Sequence, residues 1–264
     1  MDDKFQAALT KVPAVTLGFW IIKILATTFG ETMGDTVSMS WLGETTEAAG
    51  QSGLNGYLVG TALFGGLLAL LVAAQIRARH FHPFLYWATI IASTTAGTTL
   101  ADFATRSLGI GYPGGSLLLL SAVLASLLIW HRALGSISIS SVHEPSAELY
   151  YWITITFSQT LGTALGDWVA DGPLGYAGAS AIFGGALALV AAAYFRSRIS
   201  HVALFWLAFI LTRPLGAVVG DLLDKPVADG GLALSRAAAS LVLAAAITVL
   251  IVVVPQRPGA ARQH

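Results

Sequence analysis

Residues 19–35 read FWIIKILATTFGETMGD, and the pattern in that stretch returns three more times along the chain. It reappears as YWATIIASTTAGTTLAD at 86–102, YWITITFSQTLGTALGD at 151–167 and FWLAFILTRPLGAVVGD at 205–221. Steps are counted from the tryptophan of each copy, Trp20, Trp87, Trp152 or Trp206. At the tenth step stands a glycine, Gly30, Gly97, Gly162 or Gly216. A small residue fills the fourteenth (Gly34, Ala101, Gly166, Gly220) and an aspartate the fifteenth (Asp35, Asp102, Asp167, Asp221). An aromatic ring precedes every tryptophan: Phe19, Tyr86, Tyr151 and Phe205. Agreement at this many positions, four times over, identifies a tandem repeat.

Each copy is followed by a second apolar segment. ALFGGLLALLVAAQIRAR (62–79) and AIFGGALALVAAAYFRSR (181–198) match closely, while the second and fourth copies carry LLLLSAVLASLLIWHR (117–132) and AAASLVLAAAITVLIVVV (237–254). Units one and three are therefore most alike, as expected of a two-helix unit doubled and then doubled again. The chain of 264 residues is 55% hydrophobic and only 11% charged, against about 25% charged in soluble domains. Its apolar blocks have the length of about twenty residues that spans a hydrocarbon core. The expected fold is all-α: a polytopic membrane protein with eight transmembrane helices from four parallel two-helix repeats. The helices are predicted at 13–40, 55–77, 83–106, 114–133, 148–170, 176–197, 202–224 and 231–254. Repeats one and two form 1–135, a polar linker covers 136–147 within GSISISSVHEPSAE, and repeats three and four form 148–264. The first apolar block lacks a small-residue cleavage site, so it reads as a retained helix and not a signal peptide.

Lys4, Lys11, Arg77, Arg79, Arg132, Arg196, Arg198, Arg257 and Arg262 fall on the side of the termini. The other side has Arg106, Lys225 and Arg236, with Glu44, Glu47, Asp171 and Asp229 in its loops. The positive-inside rule then puts both termini in the cytoplasm. A unit with an even number of helices cannot invert its neighbour, so all odd-numbered helices run outward. Corresponding helices should surround an axis along the membrane normal, as a fourfold or twofold-of-twofold bundle. About 22 Å of helical rise separates tryptophan from aspartate, which puts the carboxylates in the outer half of the membrane if the tryptophans lie near the inner interface.

Steps seven, eleven and fifteen share one helix face. They read Thr27, Glu31, Asp35, then Thr94, Thr98, Asp102, then Gln159, Thr163, Asp167, and finally Arg213, Ala217, Asp221. A polar stripe on an apolar helix faces protein or water. Steps ten and fourteen form an adjacent small-residue stripe that lets backbones approach closely. The aspartates could simply cap or bond neighbouring helices, but intramembrane carboxylates mark functional sites by default. Glu31 and Asp35, one turn apart, could chelate a hard cation or share a proton. The expected ion-binding residues are Glu31, Asp35, Asp102, Asp167 and Asp221, supported by Thr27, Thr94, Thr98, Gln159, Thr163 and Arg213. Arg213 precedes a helix-bending Pro214 and is expected to pair with a carboxylate such as Glu31, or to bind an anionic solute. Lys23 is expected to snorkel to the inner interface. His80, His82, His131, His143 and His201 read as interfacial residues, with no carboxylate to complete a metal set.

The fourfold Trp…Gly-x-x-x-Gly/Ala-Asp pattern resembles a family of bacterial inner-membrane proteins with four tandem two-helix repeats, each with its tryptophan. That resemblance covers nearly the whole chain and implies a bacterial inner-membrane location, while the family is functionally uncharacterised and implies no substrate. GETMGDT (30–36) also looks loosely like the Glu-x-Gly-Asp motif of a cation-exporter family, with Glu31 four residues before Asp35 and not three.

The leading expectation is a transporter or channel for a small cation, a divalent metal or a proton-coupled ion, because carboxylate rings select cations. A divalent cation would then be substrate, and no resident cofactor is assigned. The alternatives are a small organic solute transporter using Arg213, an intramembrane aspartyl enzyme, and a non-transporting scaffold or sensor. The Gly-x-Gly-Asp signature of aspartyl membrane proteases is absent, so no enzyme is expected. The expected partners are the lipid bilayer and a small cation or solute. Zero net charge excludes nucleic acid, and the lack of cysteine excludes disulfides and thiolate metal sites.

Overall fold

A computed structural model describes residues 9–43, 55–107, 111–139, 142 and 144–260. Lys4, Glu44, Glu47, His143 and Arg262 lie outside the described residues. Among those described, eight long helices carry the fold: α1 Leu17–Asp35, α2 Gly56–Arg77, α3 Pro83–Asp102, α4 Gly111–Leu134, α5 Pro145–Ala170, α6 Gly175–Arg196, α7 His201–Asp224 and α8 Arg236–Val253. Short π-helical turns extend α1 through Thr36–Trp41 and α3 through Phe103–Ser107, just past Asp35 and Asp102. Such wide turns recur at functional positions.

Helix starts follow local chemistry. The Thr16 side chain accepts from the Phe19 N–H, Asn55 accepts from Tyr57 and Leu58, and Ser235 accepts from Ala238, each capping an otherwise orphaned donor. Prolines open α3 and α5, where a missing N–H costs nothing. The last helix begins at Arg236, later than its apolar run predicts. Residues 232 and 234 instead donate their backbone N–H groups to Leu222 and Leu223 at the end of α7.

The odd helices form a closed inner ring in the order α1, α3, α5, α7, with α7 returning to α1. Each even helix crosses to the next repeat: α2 packs on α3, α4 on α5, α6 on α7, and α8 closes the circle on α1. A two-stranded antiparallel pair, β1 Leu9–Pro13 with β2 Pro258–Ala260, ties the two ends together. This pair is the one departure from the all-helical expectation among the described residues.

The repeated glycines explain how the ring closes. A methyl group added at Gly30 would overlap Thr94, at Gly97 it would meet Gln159, at Gly162 Arg213, and at Gly216 Thr27. The step-ten glycine of every repeat thus receives the step-seven side chain of the next. One turn further on, Gly34 receives Thr98, Gly166 receives Ala217 and Gly220 receives Glu31. Between apolar helices in lipid, such close van der Waals packing takes over from the hydrophobic effect.

Five helices, α2, α4, α6, α7 and α8, are long and apolar enough to cross a membrane. In the even helices among them only 11–28% of the apolar window is buried, against 61% in α7. The even helices form an outer layer, and α1, α3 and α5 are less apolar because they line the interior with polar groups. Buried threonines within these helices donate to carbonyls one turn back, as Thr28 does to Ile24, Thr95 to Ile91 and Thr160 to Thr156.

Candidate functional site

At the tryptophan end the ring is filled by its own aromatic repeat. Phe19, Trp20, Tyr86, Trp87, Tyr151, Trp152, Phe205 and Trp206 pack edge-on and tilted against one another. The Tyr86 and Tyr151 hydroxyls meet at 2.7 Å. Trp87 donates its indole N–H to Gln256 Oε1 and Trp206 donates to the Ile137 carbonyl. Trp87, Trp152 and Trp206 are buried and close one end of the bundle from inside.

Above this plug the polar stripe faces inward from all four odd helices, and Thr27, Thr94, Thr98, Gln159, Thr163 and Arg213 are inaccessible to solvent. Arg213 Nη2 reaches Glu31 Oε2 at 2.8 Å and also donates to Thr98 and Thr163. Thr98 donates to the Gly30 carbonyl and lies 3.3 Å from the same Glu31 oxygen. The expected Arg213–Glu31 pair therefore exists, and four odd helices meet at it: α1, α3, α5 and α7.

Lys23 departs from expectation. It is 0% exposed, so its ammonium does not reach the inner interface. Lys23 Nζ lies 3.5 Å from Gln159 Oε1 and 4.2 Å from the centre of the Phe209 ring. Step three is one turn before step seven on the same face, a signal that assigns Lys23 to the stripe.

At the far end the aspartates are held by cations that sequence reading counted only as charges of the outer side. Arg106 bridges Asp102 at 3.0 Å and Asp167 at 3.6 Å, from consecutive repeats. Lys225 bridges Asp221 at 3.1 Å and Asp35 at 3.2 Å. Both cations stand at step nineteen, four residues past their own aspartate, in repeats two and four; repeats one and three have Met39 and Asp171 there. Asp171 accepts from the Tyr112 hydroxyl. Arg236 adds a bond to Asp224 at 3.1 Å and approaches Asp35 at 4.0 Å. The symmetry is thus twofold over a fourfold frame.

Two groups of carboxylates converge, each with ligand oxygens within 4.8 Å of one another: Glu31 with Asp167 and Asp221, and Asp35 with Asp221 and Asp224. Glu31 and Asp35, neighbours in sequence, belong to different groups because each looks across the ring. Asp102 joins neither and is held by Arg106. Asp224, Arg106, Lys225 and Arg236 were missed by reasoning on steps seven to fifteen; the same face continues through steps eighteen and nineteen. Asp35 Oδ1, Asp167 Oδ1 and Asp224 Oδ1 are buried without a hydrogen-bond partner among the described residues. A cleft of ≈ 420 Å³ lined by Thr36, Ser40, Trp41, Asp224, Ser235, Arg236 and Ala237 opens beside the second group.

The chain matches the family described as "Repeat of Unknown Function (DUF347)" four times, over residues 18–81, 85–135, 150–200 and 204–255. These boundaries coincide with the four Trp-to-Asp units and their second helices. No curated protein and no solved structure matches the chain. The chain belongs to this repeat family.

Proposed function

We propose that the protein is a transporter of a small cation, a divalent metal or a proton-coupled ion, embedded in a bacterial inner membrane by eight spanning helices with both termini in the cytoplasm. The observation that supports it best is the convergence of Glu31, Asp167 and Asp221 from three different helices inside a polar ring. Oxygen-only ligands with several carboxylates suit hard cations. Each carboxylate group also contains a competing cation: Arg213 on Glu31 and Lys225 on Asp35 and Asp221. An entering ion displaces these side chains, and their release is the differential interaction that couples binding to a change of conformation. The orientation follows the excess of lysine and arginine at the end of the termini.

Two clamps bear on how such a transporter moves. Arg106 joins repeat two to three, and Lys225 joins repeat four to one; both cross between the halves. Glycine grooves pack all four seams, and the aspartate clamps are added at the two between the halves. Opening of the aspartate end by rocking of the halves breaks both ion-pair bridges, and at the repeat four to one seam also the Arg213–Glu31 pair. Neutralising Asp35, Asp102, Asp167 and Asp221 singly to asparagine, with metal accumulation measured in cells, tests the proposal. Loss of flux is expected for Asp167→Asn and Asp221→Asn, and unchanged flux in all four sinks it.

A further inference from the structure

We infer that the ring holds a second site, on the tryptophan side of the Arg213–Glu31 pair, that binds a small monoanion with oxygen acceptors, of the carboxylate or bicarbonate type, between Lys23, Gln159 and Arg213. Lys23 and Arg213 are both fully buried. Among the described residues, Glu31 is the one carboxylate paired with either of them, and it is bonded to Arg213. This level of the ring therefore carries two basic side chains and one carboxylate. Its hydrogen-bonding groups show the same imbalance. Arg213 spends Nη2 on Glu31, Thr98 and Thr163, leaving Nε and Nη1 without an acceptor. Gln159 Nε2 has none either. Among the described residues Lys23 donates to Gln159 Oε1 alone, at 3.5 Å. Donors in such number are costly to bury unsatisfied, and a small oxyanion supplies the missing acceptors. Arg and Lys from two helices with an amide from a third are suited to a planar oxyanion. Thr94 Oγ1, also buried and unpartnered, provides a further hydroxyl at the same level.

This site rests on the transport reading: the cation bound by the outer carboxylates and the anion bound here would move through one ring. Binding can nonetheless be measured without transport. The purified protein in detergent is melted with sodium acetate, lactate, bicarbonate or chloride at matched ionic strength. The expected result is a rise in melting temperature of about 2–4 °C with at least one oxyanion, saturating in the millimolar range and absent with chloride. Lys23→Met, which keeps the stem's volume, should abolish that rise, and Lys23→Arg should restore it. Equal shifts with every salt, no shift with any, or a shift that survives in Lys23→Met would overturn the assignment. Failure of flux with intact anion binding would count against the transport reading alone.

Discussion

Replacing Glu31 by glutamine should destabilise the protein by about 3 kcal/mol, and a second change at Arg213 should recover most of that loss. The pair is 2.8 Å apart and Arg213 is wholly buried. At an effective dielectric of about 20, the attraction at that distance is about 6 kcal/mol, and desolvation offsets much of it. Removing one partner of such a pair typically costs about 3–5 kcal/mol, since the other charge is left buried. The lower figure applies to Glu31→Gln because Thr98 and Thr163 still accept from the guanidinium. Arg213→Met strands Glu31 in the same way, yet keeps the Cβ and Cγ atoms that fill the groove at Gly162. The double variant removes both members of the pair together and should lie within about 1 kcal/mol of the parent. Denaturant unfolding in mixed micelles, followed by the fluorescence of the 7 tryptophans, measures all four corners of the cycle. A loss below about 1 kcal/mol in Glu31→Gln, or a double variant as unstable as the sum of the singles, would refute a pair that is desolvated and mutually dependent.

Gly162→Ala and Gly216→Ala should each lose about 1–3 kcal/mol through overlap with Arg213 and Thr27, whereas Gly66→Ala, with nothing within 4 Å, should gain up to about 1 kcal/mol of helix propensity; melting temperatures decide both. Arg106→Gln should speed amide exchange at the ends of α3 and α5 and leave the α7–α1 seam protected, because Lys225 still spans it; uniform loosening around the ring would contradict separate clamps. Tyr112→Phe removes an exposed hydrogen bond to Asp171 and should change stability by less than about 1 kcal/mol, a control for the buried network.

The repeat and its inward polar face were legible from spacing alone, because step intervals of three and four are a direct statement about one helix face. The helix spans followed from the apolar blocks, except that the first and last helices start four to five residues later than predicted, at Leu17 and Arg236. The crossing of each even helix to the next repeat was not legible: ALFGGLLALLVAAQIRAR reads the same whichever neighbour it touches. The β1–β2 pair joins residues about 250 positions apart through backbone bonds, and such bonds leave no side-chain pattern. Lys23 misled because a lysine near a helix end ordinarily snorkels; here the polar groups of Gln159 and the Phe209 ring hold it inside. Arg106 and Lys225 misled for a related reason. Counted as outer-side charges for orientation, they turn back one helical turn onto Asp102 and Asp221, an i,i+4 relation that the sequence contains. Which carboxylates group across the ring depends on the relative rotation of helices, and no single repeat records it.

Flux into proteoliposomes containing the purified protein tests the role of the carboxylates most directly. Protons and a panel of divalent cations are offered outside, with a pH-sensitive or metal-sensitive dye within. Saturable uptake of at least one of them is expected, reduced at least about tenfold by Asp167→Asn, which removes a ligand from the Glu31–Asp167–Asp221 group, and unchanged by Asp171→Asn, whose carboxylate belongs to neither group. Flux no greater than in empty liposomes across the whole panel, or flux indifferent to Asp167→Asn, would contradict a cation path through these carboxylates.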